Sequence, residues 1–241
     1  MIVDAVMALV LAPCCAGCDE PLEQPTRGCV CPACWASIHP LTEPLCETCG
    51  DALPAWRVTP GDSKQCARCR RVPRVITLGR AVAAYDGKLR DVLHALKYNG
   101  RRSIARPLGA MMAVAAPAVL EGANFAVPVP LHVVRQWHRG FNQAEELARH
   151  LPLPVLRALR RSRRTTTQTD LPEAQRHENV RGAFAVRWSA SRKVKNATIV
   201  LVDDVSTTGA TLDECARALL GAGAKEVRAL TAARAVSRRG R

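Results

Sequence analysis

A chain of 241 residues is long enough to bury one good-sized core and carry an appendage, and its 48% apolar content excludes a disordered protein. Its net charge of +14 is unevenly placed: residues 1–70 hold five Lys/Arg against eight Asp/Glu, and residues 71–241 hold thirty against thirteen. Two charge regimes point to two modules, 1–72 and 73–241, of which the larger should meet an anion such as a pyrophosphate ester or a nucleic acid. The chain opens on an apolar stretch, Ile2 to Ala12, but Asp4 interrupts it and no basic residue precedes it. It is too short to span a membrane and reads as a helix packing Val6, Leu9 and Val10 on the body. No secretory signal or transmembrane segment is visible, so the expectation is a cytoplasmic protein with reduced thiols and no membrane insertion.

Ten of the eleven cysteines lie between Cys14 and Cys69. They include four CxxC pairs: Cys15/Cys18, Cys31/Cys34, Cys46/Cys49 and Cys66/Cys69. A CxxC turn places two thiolates on one side of a tight loop, and two such turns complete a tetrahedral zinc site. Two structural Zn²⁺ ions are therefore expected. Sequential pairing is simplest, with Cys15, Cys18, Cys31 and Cys34 on one ion and Cys46, Cys49, Cys66 and Cys69 on the other. A crossed arrangement, first pair with third and second with fourth, stays open, and Cys14 or Cys29 could displace a neighbour. Four thiolates leave no open position for water or substrate, so the metal is structural. It also explains how a segment with so thin an apolar content folds. The acidic balance of this module suits a protein contact or domain docking better than a grip on DNA.

From residue 75 the pattern alternates strand and helix. Val75 to Tyr85 reads as a strand. Gly87 to Tyr98 reads as an amphipathic helix, with Leu89, Val92, Leu93 and Leu96 on one face and Lys88, Arg90, Asp91 and Lys97 on the other. Ser103 to Val119 reads as a second helix with Met111 and Met112 in the core, Ala123 to Pro130 as a strand and Gly140 to His150 as a helix. Leu153 to Leu159 and Ala183 to Val186 are short strands. Thr198 to Asp203 is the central strand, Thr208 to Gly221 a helix closed by a Gly-rich cap, and Val227 to Ala233 the last strand. Such alternation implies an α/β fold with a mainly parallel sheet flanked by helices.

The most informative stretch is Ile199 to Thr211, IVLVDDVSTTGAT. A run of branched apolar residues ends in two acids, then a turn of Ser, Thr and Gly leads into a helix. Backbone N–H groups of such a turn can cradle a phosphate at the helix N-terminus. Asp203 and Asp204 are expected just past the carboxyl end of a strand, where open parallel sheets keep ligands, at a sheet edge facing solvent. Paired carboxylates suit the hydroxyls of a ribose, and Thr207, Thr208, Gly209, Ala210 and Thr211 suit its 5′-phosphate. The plainer alternative is a helix cap, which needs one such residue and no strand ending in two acids.

This segment resembles the phosphoribosyl pyrophosphate (PRPP) loop of type I phosphoribosyltransferases. Val127 to Leu147, VPVPLHVVRQWHRGFNQAEEL, looks like the loop of those enzymes that holds the pyrophosphate. Arg160 to Phe184 resembles their mobile lid. With LKYNGRR (Leu96 to Arg102), the Pro128–Leu131 and Arg139–Gln143 strings, Thr167-Gln168, Arg176 to Asn179 and the four knuckles, the chain resembles the ComF family, also called the GntX/ComFC group, over nearly its whole length. The resemblance implies a zinc-bearing N-terminal module, a type I phosphoribosyltransferase-like domain, and a link to uptake and use of DNA in competent bacteria. It implies PRPP bound with Mg²⁺, the ribose hydroxyls on Asp203 and Asp204, and the phosphate on Ser206 to Thr211. Arg135, Arg139 and His138 would face the pyrophosphate. Lys97, Arg176 and Asn179 are candidates for closure or the second substrate. An enzyme would be a phosphoribosyltransferase acting through Asp203, Asp204 and Arg139. Residue 2 is Ile, which leaves no N-terminal cysteine nucleophile for glutamine-dependent amidotransfer.

The rival reading is a non-catalytic PRPP sensor or a single-stranded DNA-binding protein on the same scaffold. Arg157, Arg160, Arg161, Arg163 and Arg164 could track a phosphate backbone, and Tyr98, Trp137, Phe141, Phe184 and Trp188 are the candidates for base stacking.

Overall fold

The computed structural model describes residues 2–54, 64–132, 136–137, 139–162 and 180–235. Its centre is a four-stranded parallel sheet formed by β1 (Gly79–Ala84), β2 (Phe125–Pro128), β5 (Thr198–Ser206) and β6 (Glu226–Arg234), in the spatial order β1-β6-β5-β2. Two short strands, β3 (Leu159–Arg161) and β4 (Phe184–Val186), form a separate antiparallel pair.

The continuous apolar run of β5 has its physical reason in this order. The strand is interior and covered on both faces, so no polar alternation is needed until its end. Val200 and Val202 enter one core with Val82, Leu230 and Ala232, whereas Ile199 and Leu201 enter the other with Val127, Val227 and Ala229. The first face is covered by α4 (Gly87–Tyr98) and α5 (Ala105–Ala115), and by Leu147 and Ala148 of α7 (Gln143–Ala148). The second is covered by α8 (Ser191–Val194), through Val194, and by α9 (Ala210–Gly221), through Leu212, Cys215, Ala216 and Leu219.

The boundaries differ from the sequence pattern where local chemistry intervenes. The expected helix from Ser103 to Val119 is divided: α5 ends at Ala115, and Pro117 opens a separate short helix, α6 (Pro117–Leu120). Met112 is fully buried, but Met111 is only half-buried. Helix α7 begins at Gln143 rather than Gly140, because the Asn142 side chain caps it by accepting from Ala144 N at 3.0 Å. Leu153 to Leu159 is not a regular strand. Pro152 and Pro154 lack ladder donors, and the segment contributes only an isolated bridge, Val155 to Ala126. At the N-terminus, α1 (Ile2–Leu11) is tied down by Asp4, which accepts from Thr26 Oγ1 at 2.6 Å and Thr26 N at 3.2 Å. Leu9 does not pack on the body as expected; it is 87% exposed. Val6 and Val10 lie outside the described side chains. Among the described residues, no helix is long and apolar enough to cross a membrane.

The cysteines resolve into two sets, Cys15/Cys18/Cys31/Cys34 and Cys46/Cys49/Cys66/Cys69, with the four sulfurs of each within 4.8 Å of one another. This is the sequential pairing, and the crossed one is excluded. A tetrahedron with Zn–S of about 2.3 Å has sulfurs about 3.8 Å apart. Cys18 and Cys31 stand 3.9 Å apart, and Cys49 and Cys66 3.6 Å, so both sets fit the metal. Cys14 and Cys29 belong to neither set; Cys14 Sγ lies 3.6 Å from the Ala12 carbonyl, and Cys29 Sγ 3.4 Å from Ser103 Oγ.

The two ribbons repeat one local plan. In each, the second knuckle starts a short helix, α2 (Pro32–Ala36) or α3 (Ala67–Arg71), capped by its first cysteine sulfur. Cys31 N donates to Cys15 Sγ at 3.2 Å, and Cys66 N to Cys46 Sγ at 3.3 Å. Burial disfavours the Cys15 thiolate, but the N–H groups of Cys31, Gly17 and Cys18 outweigh it and bring its pKa down to about 6. A single hydrophobic cluster crosses the proposed boundary at 72/73: Cys15, Leu22, Val30, Cys34 and Ile38 pack with Val82, Leu89 and Leu93.

Metal analysis of protein purified without chelator should therefore give two zinc ions per chain, and stripping them with a strong chelator should unfold residues 14–69 and loosen the sheet core that they cover. Metal near zero, with the thiols recovered as disulfides, would contradict this.

Candidate functional site

Asp203 and Asp204 do not lie past the strand at a solvent-facing edge. They sit inside β5, which continues to Ser206, and β5 is flanked by β6 and β2. The alternation of a strand therefore separates them. Asp204 is 5% exposed, and its Oδ2 lies 2.7 Å from Lys97 Nζ, which arrives from the last turn of α4. Its Oδ1 accepts from Val205 N at 2.7 Å. Asp203 is half-buried; its Oδ1 accepts from Asp204 N at 2.9 Å, and among the described residues it has no ion pair.

The electrostatics follow from this asymmetry. Burial works against the charge of Lys97, but the Asp204 carboxylate, with Tyr85 and Asp203 behind it, outweighs burial and holds the ammonium pKa above its ordinary value. Burial, followed by repulsion from Asp204, pushes the Asp203 carboxyl well above the usual carboxylate range. One acid of the pair is thus consumed by the fold. The other is a destabilised anion that gains most from a cation or a hydroxyl donor.

Directly beyond, the chain turns through Thr207 and Thr208 into α9. Gly209 is the N-cap in the left-handed region, φ +80, and no side chain caps the helix from that position. Thr208 is buried, and its Oγ1 accepts from Ala210 N at 3.3 Å. A cap supplied only in part, on a twelve-residue helix, leaves a dipole and N–H donors for an anion. The acids and the turn therefore follow one another as the motif orders them: a half-buried carboxylate, then a partly capped helix N-terminus.

The pyrophosphate-side residues are placed less fully. Arg135 and His138 lie outside the described residues, as do Arg163, Arg164, Thr167, Gln168, Arg176 and Asn179. Arg139 is half-buried, with Nη1 3.1 Å from Gln143 Oε1 and its guanidinium 4.9 Å from the centre of the Tyr98 ring. Tyr98 follows Lys97, so the last turn of α4 touches both the acid pair and the Arg139 loop. Of the stacking candidates, Phe141 and Phe184 are buried beneath Arg102 and Arg161, at 5.4 Å each, and do not serve. Tyr98, Trp137 and Trp188 are exposed. Arg157 is held by Glu145.

Two residues that sequence reasoning passed over contact the turn. Arg68 Nη1 donates to the Thr207 carbonyl at 3.3 Å, and Arg74 Nη1 to the Thr208 carbonyl at 2.7 Å. Their partners lie more than 130 residues away, and no local pattern marks them.

Comparison with known proteins identifies both parts of the chain. Residues 6–70 match the double zinc ribbon domain family, and residues 132–241 match the phosphoribosyl transferase domain family. Competence protein F of Haemophilus influenzae is 29% identical over 231 residues, an alignment covering 92% of this chain and 96% of that protein. The DNA utilization protein YhgH of Escherichia coli K12 is 33% identical over 197 residues, covering 76% of this chain and 81% of the relative. Competence protein ComFC of Bacillus subtilis is 28% identical over 204 residues, covering 80% of this chain and 79% of the relative. With a double zinc ribbon ahead of a phosphoribosyltransferase-type domain, and these relatives spanning most of its length, the chain belongs to the ComF family of competence and DNA-utilisation proteins.

Proposed function

We propose that this chain binds PRPP together with Mg²⁺ and acts in the uptake or use of DNA. The observation that carries the reading is the split acid pair: Asp204 neutralised by Lys97, and Asp203 left beside an incompletely capped helix N-terminus. Asp203 would hold a ribose hydroxyl or the metal. Ser206 to Thr211 would hold the 5′-phosphate through backbone N–H groups and hydroxyls. Arg139, with Arg135, would meet the pyrophosphate. The carboxylate chemistry of Asp203 fits a hard divalent cation, which would neutralise the departing pyrophosphate. The chain's own contribution would be positioning and charge stabilisation along the leaving group. Lys97 takes a different part from the one first expected: its ammonium is paired inside the fold and organises Asp204. A cytoplasmic location, where thiols stay reduced, fits the two cysteine tetrads.

Single-stranded DNA is a second partner for the same surface. The names of the relatives point to DNA, and Tyr98, Trp137 and Trp188 offer exposed rings in a strongly basic region.

Titration calorimetry separates the roles of the acids. Asp203→Asn should weaken Mg²⁺–PRPP about ten- to a hundred-fold, the loss of a charge-assisted interaction of about 1.5–3 kcal/mol, and leave stability unchanged or improved because a disfavoured charge is removed. Parent-like PRPP affinity in Asp203→Asn, or a parent that does not bind PRPP, would refute the assignment.

Lys97→Met should lower unfolding stability by about 3 kcal/mol, since it strands a buried carboxylate, and Lys97→Met with Asp204→Leu should recover most of that loss. Additive losses in denaturant unfolding would show that the pair is not coupled.

For DNA, Tyr98→Ala should weaken binding of a thymidine oligonucleotide about tenfold, within the range for one lost base stack, read from the fluorescence of the exposed tryptophans. Equal affinity would remove Tyr98 from that surface.

A further inference from the structure

Three consecutive residues of the phosphate turn are held from behind: by Arg68 of the second zinc ribbon, by Arg74 five residues beyond its last cysteine, and by Arg234 at the end of β6, which the ribbon's Asp51 engages. Arg234 Nε donates to Asp51, two residues after Cys49, and its Nη1 lies 3.5 Å from Ser206 Oγ. Arg68 engages the Thr207 carbonyl at 3.3 Å, and Arg74 the Thr208 carbonyl at 2.7 Å. Arg68 stands inside the knuckle Cys66-Ala67-Arg68-Cys69, so the metal ligands on either side fix its backbone. The Arg74 side chain is 1% exposed, and its Nη1 also lies 3.2 Å from Asp213 Oδ2 on the first turns of α9. A Cβ on Gly209 would fall 1.6 Å from Arg74 Nη2, so the guanidinium and the glycine interlock.

Each peptide has a donor and an acceptor pointing in opposite directions. A turn that offers its N–H groups to an anion must therefore settle its carbonyls elsewhere. Here two guanidinium groups take them. They restrain the turn before any ligand arrives, which lowers the ordering cost of binding, and they draw electron density from the peptides whose N–H groups face the site. The first ribbon has no such contact among the described residues. Its polar docking contacts are Leu41 N to the Val82 carbonyl of β1 at 2.8 Å and Lys88 Nζ of α4 to the Gly17 carbonyl at 2.6 Å, while the second ribbon also meets β1 through Gly79 N to the Thr48 carbonyl at 2.6 Å.

We propose that the second ribbon is the rear wall of the phosphate turn, with Arg68 and Arg74 as positioning residues, so that the metal held by Cys46, Cys49, Cys66 and Cys69 sets anion affinity without touching the ligand. The identity of that anion rests on the PRPP reading; the restraint of the turn does not. Both ribbons dock on the sheet domain, and the second has the added duty of shaping the site.

The test uses the full-length, zinc-loaded chain and two readouts: amide hydrogen exchange across residues 205–212, and calorimetry with Mg²⁺–PRPP. The variants are Arg68→Ala, Arg74→Lys and, as a control at the first ribbon, Lys88→Ala. Arg68→Ala leaves the buried Arg74–Asp213 pair intact, and Arg74→Lys keeps a charge beside Asp213 while losing the planar fork. Both should speed exchange in the turn about tenfold and weaken PRPP by a similar factor, with zinc content and midpoint of unfolding matching Lys88→Ala. Lys88→Ala should leave turn exchange at the parent rate. Unchanged exchange in both arginine variants, or equal acceleration in Lys88→Ala, overturns the rear wall. A parent that gives no heat with PRPP overturns the ligand reading, and the exchange pattern alone then decides the restraint.

Discussion

The ion pair between Lys97 and Asp204 is the constraint on which the rest of the site depends. A carboxylate at 5% exposure near the end of an interior strand is costly unless it is matched, and the match comes from the last turn of α4. That contact ties the last turn of α4 to β5, and the next residue, Tyr98, lies under Arg139. It also leaves Asp203, one residue earlier and on the other side of the strand, half-buried and without an ion pair among the described residues, which is the carboxylate we propose for the ligand. Two adjacent acids thereby acquire opposite duties. One completes the fold, and the other is the one proposed to meet the ligand beside the turn that follows β5.

The zinc ribbons are the second layer of that arrangement. Their apolar content is thin, so metal replaces a core of their own; the first merges its apolar surface with the sheet through Cys15, Val30 and Ile38, and the second keeps a small cluster of Cys46, Cys49 and Cys69 with Leu53. The contact of the second ribbon is of a different kind. Arg68 of that ribbon and Arg74 just beyond it reach the Thr207 and Thr208 carbonyls, and the ribbon's Asp51 accepts from Arg234 of β6, whose Nη1 lies 3.5 Å from Ser206 Oγ, so this ribbon meets the turn through polar contacts. The acidic ribbons and the basic domain are joined by such arginines.

Much of this was readable in the chain because the governing signals are local. The twelve residues of α4 alternate by face, and the helix spans Gly87 to Tyr98 as the pattern predicts. The unbroken apolar run of β5 announced an interior parallel strand, and the CxxC spacing announced both tetrads. The misses share one cause: the deciding partner is distant or breaks a pattern by a single residue. Asp204 looks like an open ligand group until Lys97, over a hundred residues earlier, is seen beside it. Arg74 carries no local signal in the sequence, yet its side chain is 1% exposed and lies against Gly209. Pro117 divided one helix, Asn142 shortened another, and Pro154 kept an apolar run out of the sheet.

The most direct measurement of the central claim is a crystal structure of the zinc-loaded chain with PRPP and Mg²⁺. The account predicts the 5′-phosphate within hydrogen-bond distance of the backbone N–H groups of residues 207–211, a ribose hydroxyl or the metal on Asp203, and Asp204 still paired to Lys97. A ligand bound away from that turn, or Lys97 released from Asp204 to grip the pyrophosphate, would contradict it.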